Sequence, residues 1–83
     1  MYYVYLLKSL KNPTKTYIGF TTNLQQRMKQ HNSDAPIKTA HTADFRPWKL
    51  VTFIGFGDEI KARDFEKYLK VGSGHAFAKR HLW

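Results

Sequence analysis

The stretch Tyr2-Tyr3-Val4-Tyr5-Leu6-Leu7-Lys8-Ser9-Leu10-Lys11-Asn12-Pro13-Thr14-Lys15-Thr16-Tyr17-Ile18-Gly19-Phe20 decides the fold. Tyr2 to Leu7 are aromatic, aliphatic or β-branched and stop at a polar break, so they read as a buried strand. Lys11-Asn12-Pro13-Thr14 is turn chemistry. Thr16 to Phe20 reads as a second strand, which makes the pair an antiparallel hairpin with a long loop. Strand alternation sends Tyr3 and Tyr5 to one face and Tyr2 and Val4 to the other. The hairpin can set Tyr5 and Tyr17 on neighbouring strands with their hydroxyls converging, although filling of the core explains such tyrosines equally well. Gly19 inside a strand marks a bulge or a place where something approaches the backbone closely.

Downstream, Asn23 is a good helix N-cap. Leu24 and Met28 follow at helical spacing, which predicts a short helix from about Leu24 to His31. Asn32 to Arg46 shows no period, and Ser33, Asp34, Pro36 and Thr39 mark it as a loop, long for a chain of this size. Lys49 to Phe56 is a third strand. Asp58 caps a helix that runs to about Val71 and stops at Gly72 and Gly74. Ser73 is expected to cap a last helix over about His75 to Leu82, with Phe77 and Leu82 inward. The order β-β-α-β-α-α predicts an α+β fold in which helices flank a three-stranded antiparallel sheet.

At 83 residues the chain is expected to form a single domain, 1–83, around one modest core. Cysteine is absent, which excludes disulfides, Cys-based zinc sites and a thiol nucleophile. No apolar run approaches the ~20 residues that span a bilayer. The apolar start Met1 to Leu7 lacks a basic n-region and a small-residue cleavage site, so a cytoplasmic location is expected. Lys and Arg number 14 against 6 Asp and Glu, a net charge of +8 with a pI near 9.9. That is the electrostatic footprint of a nucleic-acid binder. A membrane surface would want the basic residues on one amphipathic helix, and here they are scattered.

Glu66 is the most informative position. Ala62, Phe65 and Leu69 define the inward stripe of its helix, and Glu66 lies at the edge of that stripe or within it. A carboxylate there needs a cation, because burying it unpaired costs several kcal/mol. An i,i+4 pair with Lys70 at the rim would serve, and so would a metal ion. Glu59 lies in the first turn, where it favours the helix dipole. Arg27 and His31, also i and i+4, form a face that can point basic groups at a phosphate or lie in solvent beside Gln26, Lys29 and Gln30. Other chemistries find less support. His31, His41, His75 and His81 lack tight metal-ligand spacing. Ser9, Ser33 and Ser73 show no nucleophile elbow, and Gly72-Ser73-Gly74 reads as a helix stop, not a phosphate loop. Arg46-Pro47-Trp48-Lys49 offers either an aromatic platform between cations or a tryptophan docked on the core.

Together, Tyr3-Val4-Tyr5, Tyr17-Ile18-Gly19, Arg27, His31 and Glu66 resemble the signature of the GIY-YIG nuclease family. The second triplet follows the first by about a dozen residues, and the helix arginine comes eight residues after Gly19. The resemblance covers nearly the whole chain. It is nearest to small stand-alone bacterial members with an excinuclease-subunit-C-like domain, and the stretches Arg46 to Val51 and Ala62 to Lys70 are typical of that branch. Departures are Tyr-Val-Tyr in place of Gly-Ile-Tyr, Phe20 where some members carry a lysine, and His31 where several carry a tyrosine. A helper cation would then come from Lys38 or Lys70.

The resemblance implies a GIY-YIG fold and metal-dependent hydrolysis of DNA phosphodiester bonds with low sequence specificity, in repair or recombination. Its implied catalytic residues are Tyr5, Tyr17, Arg27, His31 and Glu66. Glu66 would be the one direct protein ligand of Mg²⁺ or Mn²⁺, with waters filling the remaining positions. Arg27 would clamp a non-bridging oxygen. Tyr5 would take the proton of the attacking water, its pKa lowered by Arg27, His31 and the metal, with His31 the alternative base. Tyr17 would hydrogen-bond water, phosphate or Tyr5. Gly19, Lys38, His41, Arg46 and Lys70 are the expected nucleic-acid contacts, with Gly19 giving room to the DNA backbone or the helix. The partner would be single- or double-stranded DNA, with no membrane, and the chain a monomer or weak homodimer. The competing readings are a catalytically inactive nucleic-acid-binding module with the same fold and a small partner-recruitment domain.

Overall fold

The computed structural model describes residues 1–33 and 44–83. Lys38 and His41, together with the loop markers Asp34, Pro36 and Thr39, lie outside the described residues. The described elements are β1 (Tyr2–Ser9), β2 (Thr16–Thr21), α1 (Leu24–Asn32), β3 (Trp48–Phe56), α2 (Glu59–Lys70) and α3 (Gly72–His81). The expected order β-β-α-β-α-α is therefore present, on a three-stranded antiparallel sheet of order β2-β1-β3.

The hairpin closes as its residues dictate. The Asn12 side-chain oxygen accepts from the Thr14 amide at 3.2 Å and its hydroxyl at 2.7 Å, and the Ser9 amide meets the Lys15 carbonyl at 3.0 Å. Register then follows, with Tyr5 opposite Gly19 and Leu7 opposite Tyr17 on β2, and Tyr5 opposite Phe53 on β3. A bulge between Leu6 and Leu7 shifts the β3 register, pairing Leu6 with Thr52 and Leu7 with Leu50.

Because β1 is central, both of its faces are covered, and each builds its own cluster. Val4 and Leu6 pack with Ala62, Leu69 and Ala78 of the two C-terminal helices, with Phe20, Ile54, Phe65 and Trp83 around them. Tyr5 and Leu7 pack with Trp48 on the opposite face, against Tyr17, Leu24, Met28, Phe45 and Leu50. Trp48 is only 5% exposed, so of its two expected roles it takes the core one.

Local chemistry sets most helix ends. The Asn23 side chain accepts the Gln26 amide at 3.1 Å, and one Asp58 oxygen accepts the Ile60 and Lys61 amides at 2.8 and 3.3 Å. At the far end of α1, the Asn32 carboxamide acts as a short extra strand. It accepts from the Trp48 amide at 2.6 Å and donates to the Trp48 carbonyl at 3.1 Å. The last helix differs from expectation: α3 begins at Gly72 with no side-chain cap, and Ser73 is already inside it. Gly72 takes φ 56, a left-handed value that suits glycine and lets α2 turn into α3 across Val71 alone. A Cβ on Gly74 would lie 1.6 Å from the Tyr68 carbonyl oxygen, so α3 touches α2 backbone to backbone there. Phe77 is 38% exposed and does not reach the core, stacking instead with Phe65, Tyr68 and His81.

Two glycine substitutions test this packing and should differ in severity. A Cβ on Gly19 would meet the Tyr5 hydroxyl oxygen at 2.4 Å and the Tyr17 ring at 2.8 Å, both of them side-chain and not backbone atoms. Gly19→Ala should cost about 1–3 kcal/mol in urea denaturation. Gly74→Ala meets immovable backbone and should cost more than about 3 kcal/mol. Equal costs for the two would contradict the crossing described for α2 and α3.

Candidate active site

Tyr5 is wholly buried, and its hydroxyl lies 2.9 Å from Nε2 of His31, which is also wholly buried. Leaving either polar group unpaired in that interior would cost about 1–3 kcal/mol, and this contact helps to satisfy both. The Tyr5 ring fits only because Gly19, its β2 partner, has no side chain. The close approach expected at Gly19 is thus made by the protein's own tyrosine. Tyr17 completes the cluster, with ring centroids 6.1 Å from Tyr5 and 5.0 Å from His31.

Burial pushes the Tyr5 hydroxyl well above the ordinary tyrosine range, and Tyr17 adds to the rise. Arg27 acts in the opposite direction, through its charge and a hydrogen bond, without overcoming burial. The lowering expected from Arg27 is present, and among the protein's own groups desolvation outweighs it. His31 is likewise not presented to a phosphate on an open basic face. It sits behind the two tyrosines.

The open part of the site lies at the sheet edge. A groove of about 490 Å³ is lined by Tyr17, Phe20, Thr21, Thr22, Arg27, Arg63 and Glu66. Its walls come from both sides of the sheet. Arg27 rides on α1, which packs with the Tyr5 face, and Glu66 rides on α2, which packs with the Val4 face. They meet because β2 is an edge strand that both helices can reach around. The structure therefore brings Tyr17, Arg27 and Glu66 together at the groove, with Tyr5 and His31 behind Tyr17.

The Glu66 side chain is 19% exposed and one of its oxygens accepts from Lys70 Nζ at 3.1 Å. The predicted edge position is therefore real, and the i,i+4 partner is present as well. Among the described residues, no cluster of three or more His, Cys, Asp or Glu could hold a metal ion. A lone carboxylate in an open groove fits a hard cation that keeps most of its waters, and does not fit a closed structural site.

Arg46 is placed elsewhere. Its Nη1 donates to the Ser33 carbonyl at 2.7 Å, tying the end of α1 to the start of β3. Arg63, in contrast, was not singled out from the sequence. Its guanidinium carbon lies 4.2 Å from the centre of the Phe20 ring, and its Nε donates to Glu59 at 2.9 Å. The signal was available: Arg63 precedes Glu66 by one helical turn and so shares its face. It also fills the gap noted at Phe20, since the cation missing from that position arrives from α2.

Comparison with known proteins gives the same picture. Residues 1–78 match the GIY-YIG catalytic domain. The structure-specific endonuclease subunit SLX1 of Candida dubliniensis is 39% identical over 85 residues, covering 98% of this chain and 28% of that protein. SLX1 of Yarrowia lipolytica is 41% identical over 73 residues, covering 83% of this chain and 25% of that protein. The SLX1 homolog of Giardia intestinalis is 35% identical over 65 residues, covering 77% of this chain and 18% of that protein. The chain thus spans about a quarter or less of these curated relatives. Their names point to the SLX1 side of the family, where the sequence had suggested an excinuclease-subunit-C-like branch. With its triplets on the paired strands β1 and β2 and its arginine and glutamate facing one groove, the chain belongs to the GIY-YIG catalytic-domain family.

Proposed function

We propose that this chain is a metal-dependent DNA endonuclease that hydrolyses phosphodiester bonds at the groove beside β2. The observation that carries the reading is the meeting of Tyr17, Arg27 and Glu66 at that groove, from opposite faces of one sheet. Structural uses account for each of these residues separately; their convergence on one open surface is what a reaction centre requires.

Glu66 is the residue that would hold Mg²⁺ or Mn²⁺. Bound there, the ion would neutralise charge on the scissile phosphate and the leaving 3′ oxygen. Arg27 holds a non-bridging oxygen, where charge accumulates. Arg63, fixed over Phe20, supplies the helper cation in place of Lys38 or Lys70. As water oxygen attacks phosphorus, the P–O3′ bond breaks and the water proton must leave. Tyr17 faces the groove and Tyr5 does not, so we assign Tyr17 the contact with water. The proton passes through the Tyr17 and Tyr5 hydroxyls to Nε2 of His31. No phenolate has to form, in keeping with the raised pKa of Tyr5.

Low sequence specificity follows from the scale of the surface, since reading a sequence usually buries upwards of about 1,000 Å². The SLX1 relatives are named as structure-specific. We extend that to this chain as recognition of DNA shape, with a role in repair or recombination, acting as a monomer or weak homodimer in the cytoplasm. No described helix is long and apolar enough to cross a membrane. The second reading, an inactive nucleic-acid-binding module, draws on the Lys70 contact, which satisfies Glu66 without a metal.

Incubation of branched, single-stranded and duplex DNA with Mg²⁺ or Mn²⁺ separates the two. The wild type should cleave, Glu66→Gln should bind DNA without cutting it, and Arg27→Ala should lose at least about 100-fold in rate. Equal cleavage by Glu66→Gln would sink the nuclease reading.

The pH profile tests the proton path. Because burial keeps Tyr5 protonated past the ordinary value of 10.0, the rate should reach its plateau without any phenol losing a proton. It should then stay level to about pH 10. A rate still climbing tenfold per pH unit at pH 9 would mean a phenolate base instead.

A further inference from the structure

The groove at Glu66 has a continuation. A second groove of about 280 Å³ is lined by Thr16, Tyr17, Ile18, Lys70, His75 and Trp83. Tyr17 lines both, so it is the residue they share. The first groove takes the C-terminal half of β2, with Phe20 and Thr21, and the second takes the N-terminal half, Thr16 to Ile18. The two therefore lie end to end along an edge strand. The proposed hydrolysis uses neither His75 nor Trp83.

Trp83 is built as a platform. It packs against the cluster of Val4, Leu6, Leu69 and Ala78, yet stays partly exposed, and its amide donates to the Ala78 carbonyl at 3.0 Å. The indole is thus held by the core while lining the groove. Beside it stand the ammonium of Lys70 and the imidazole of His75, both on exposed residues. A fixed aromatic ring next to an ammonium and a hydrogen-bonding imidazole suits a base together with its phosphate. An added protein strand fits poorly, because a lysine flanks this edge. A duplex keeps its bases stacked inside, so away from duplex ends only an unpaired base can lie on an indole.

We propose that this second groove holds the single-stranded DNA adjoining the scissile phosphate, with one unpaired base stacked on Trp83 and its phosphate near Lys70 and His75. The proposal rests on the nuclease reading of the first groove and adds the shape of the substrate to it: a junction where duplex gives way to single strand.

The chain has 2 tryptophans, and the other, Trp48, is 5% exposed on the opposite face of the sheet. Tryptophan emission during titration with a short oligothymidylate in EDTA therefore reports on Trp83. Saturable quenching is expected in the wild type and should be absent in Trp83→Phe, whose remaining emission comes from Trp48. A blunt duplex of equal length should quench far less. Trp83→Leu, which keeps apolar packing, should weaken oligonucleotide binding about tenfold by anisotropy. Quenching that persists in Trp83→Phe overturns the proposal, and so does binding of the oligonucleotide without quenching. Failure of the oligonucleotide to bind at all overturns it too. Cleavage of branched DNA with no change at Trp83 would remove the second groove and leave the first, whereas quenching without cleavage in Mg²⁺ would do the reverse.

Discussion

The buried contact between Tyr5 and His31 constrains the rest of the molecule. A phenol on the central strand with no solvent access must find a partner for its hydroxyl, and the imidazole from α1 supplies one at 2.9 Å. That contact, with the packing of Leu24 and Met28 and the Asn32 bonds to Trp48, sets how α1 lies on the sheet. It also requires a bare backbone opposite Tyr5, which only Gly19 provides. With α1 so placed, Arg27, one turn before His31, comes to the sheet edge. The position of the arginine at the groove is thus a consequence of satisfying a polar group in the interior.

The second constraint is the small sheet itself. With three strands in the order β2-β1-β3 among the described residues, the middle strand buries both faces and β2 lies at an edge. Helices covering opposite faces can then reach around one edge and face each other across it. The site at β2 uses this geometry. Neither face could assemble it alone, since Arg27 belongs to one layer and Glu66 to the other. A larger sheet with β2 in its interior would bury the same residues apart.

Much of this was legible in the residues, for reasons that differ by element. The hairpin, the Asn23 cap and the Asp58 cap depend on contacts within a few positions, and local chemistry decides them. Glu66 could be placed at the edge of a buried stripe because helical spacing is regular. The start of α3 was misread because Gly74 is set by contact with the Tyr68 carbonyl, a tertiary fact that no cap rule contains. His31 looked solvent-facing among Gln26, Lys29 and Gln30, and only the phenols of two distant strands explain its burial. The raised pKa of Tyr5 could not be weighed without its burial, since the sequence suggests the opposing arginine and hides the desolvation. Arg63 was passed over because an exposed arginine paired with Glu59 looks like ordinary surface until Phe20 is seen beneath it.

Charge around the groove carries the argument one step further. Arg27, Arg63 and Lys70 stand against two carboxylates, Glu66 and Glu59, which leaves the neighbourhood positive by one. Lys70 already answers the charge of Glu66. A second cation entering this place would face both repulsion and a competitor for its one protein ligand. A phosphate entering first reverses that balance: it draws on the arginines, offers the lysine an alternative oxygen, and adds negative charge beside the carboxylate. On the proposed nuclease reading, anion and metal would therefore favour each other's binding at the groove. On that reading a site with one carboxylate would depend on this coupling, whereas a site with three acidic ligands would hold its ion regardless of substrate.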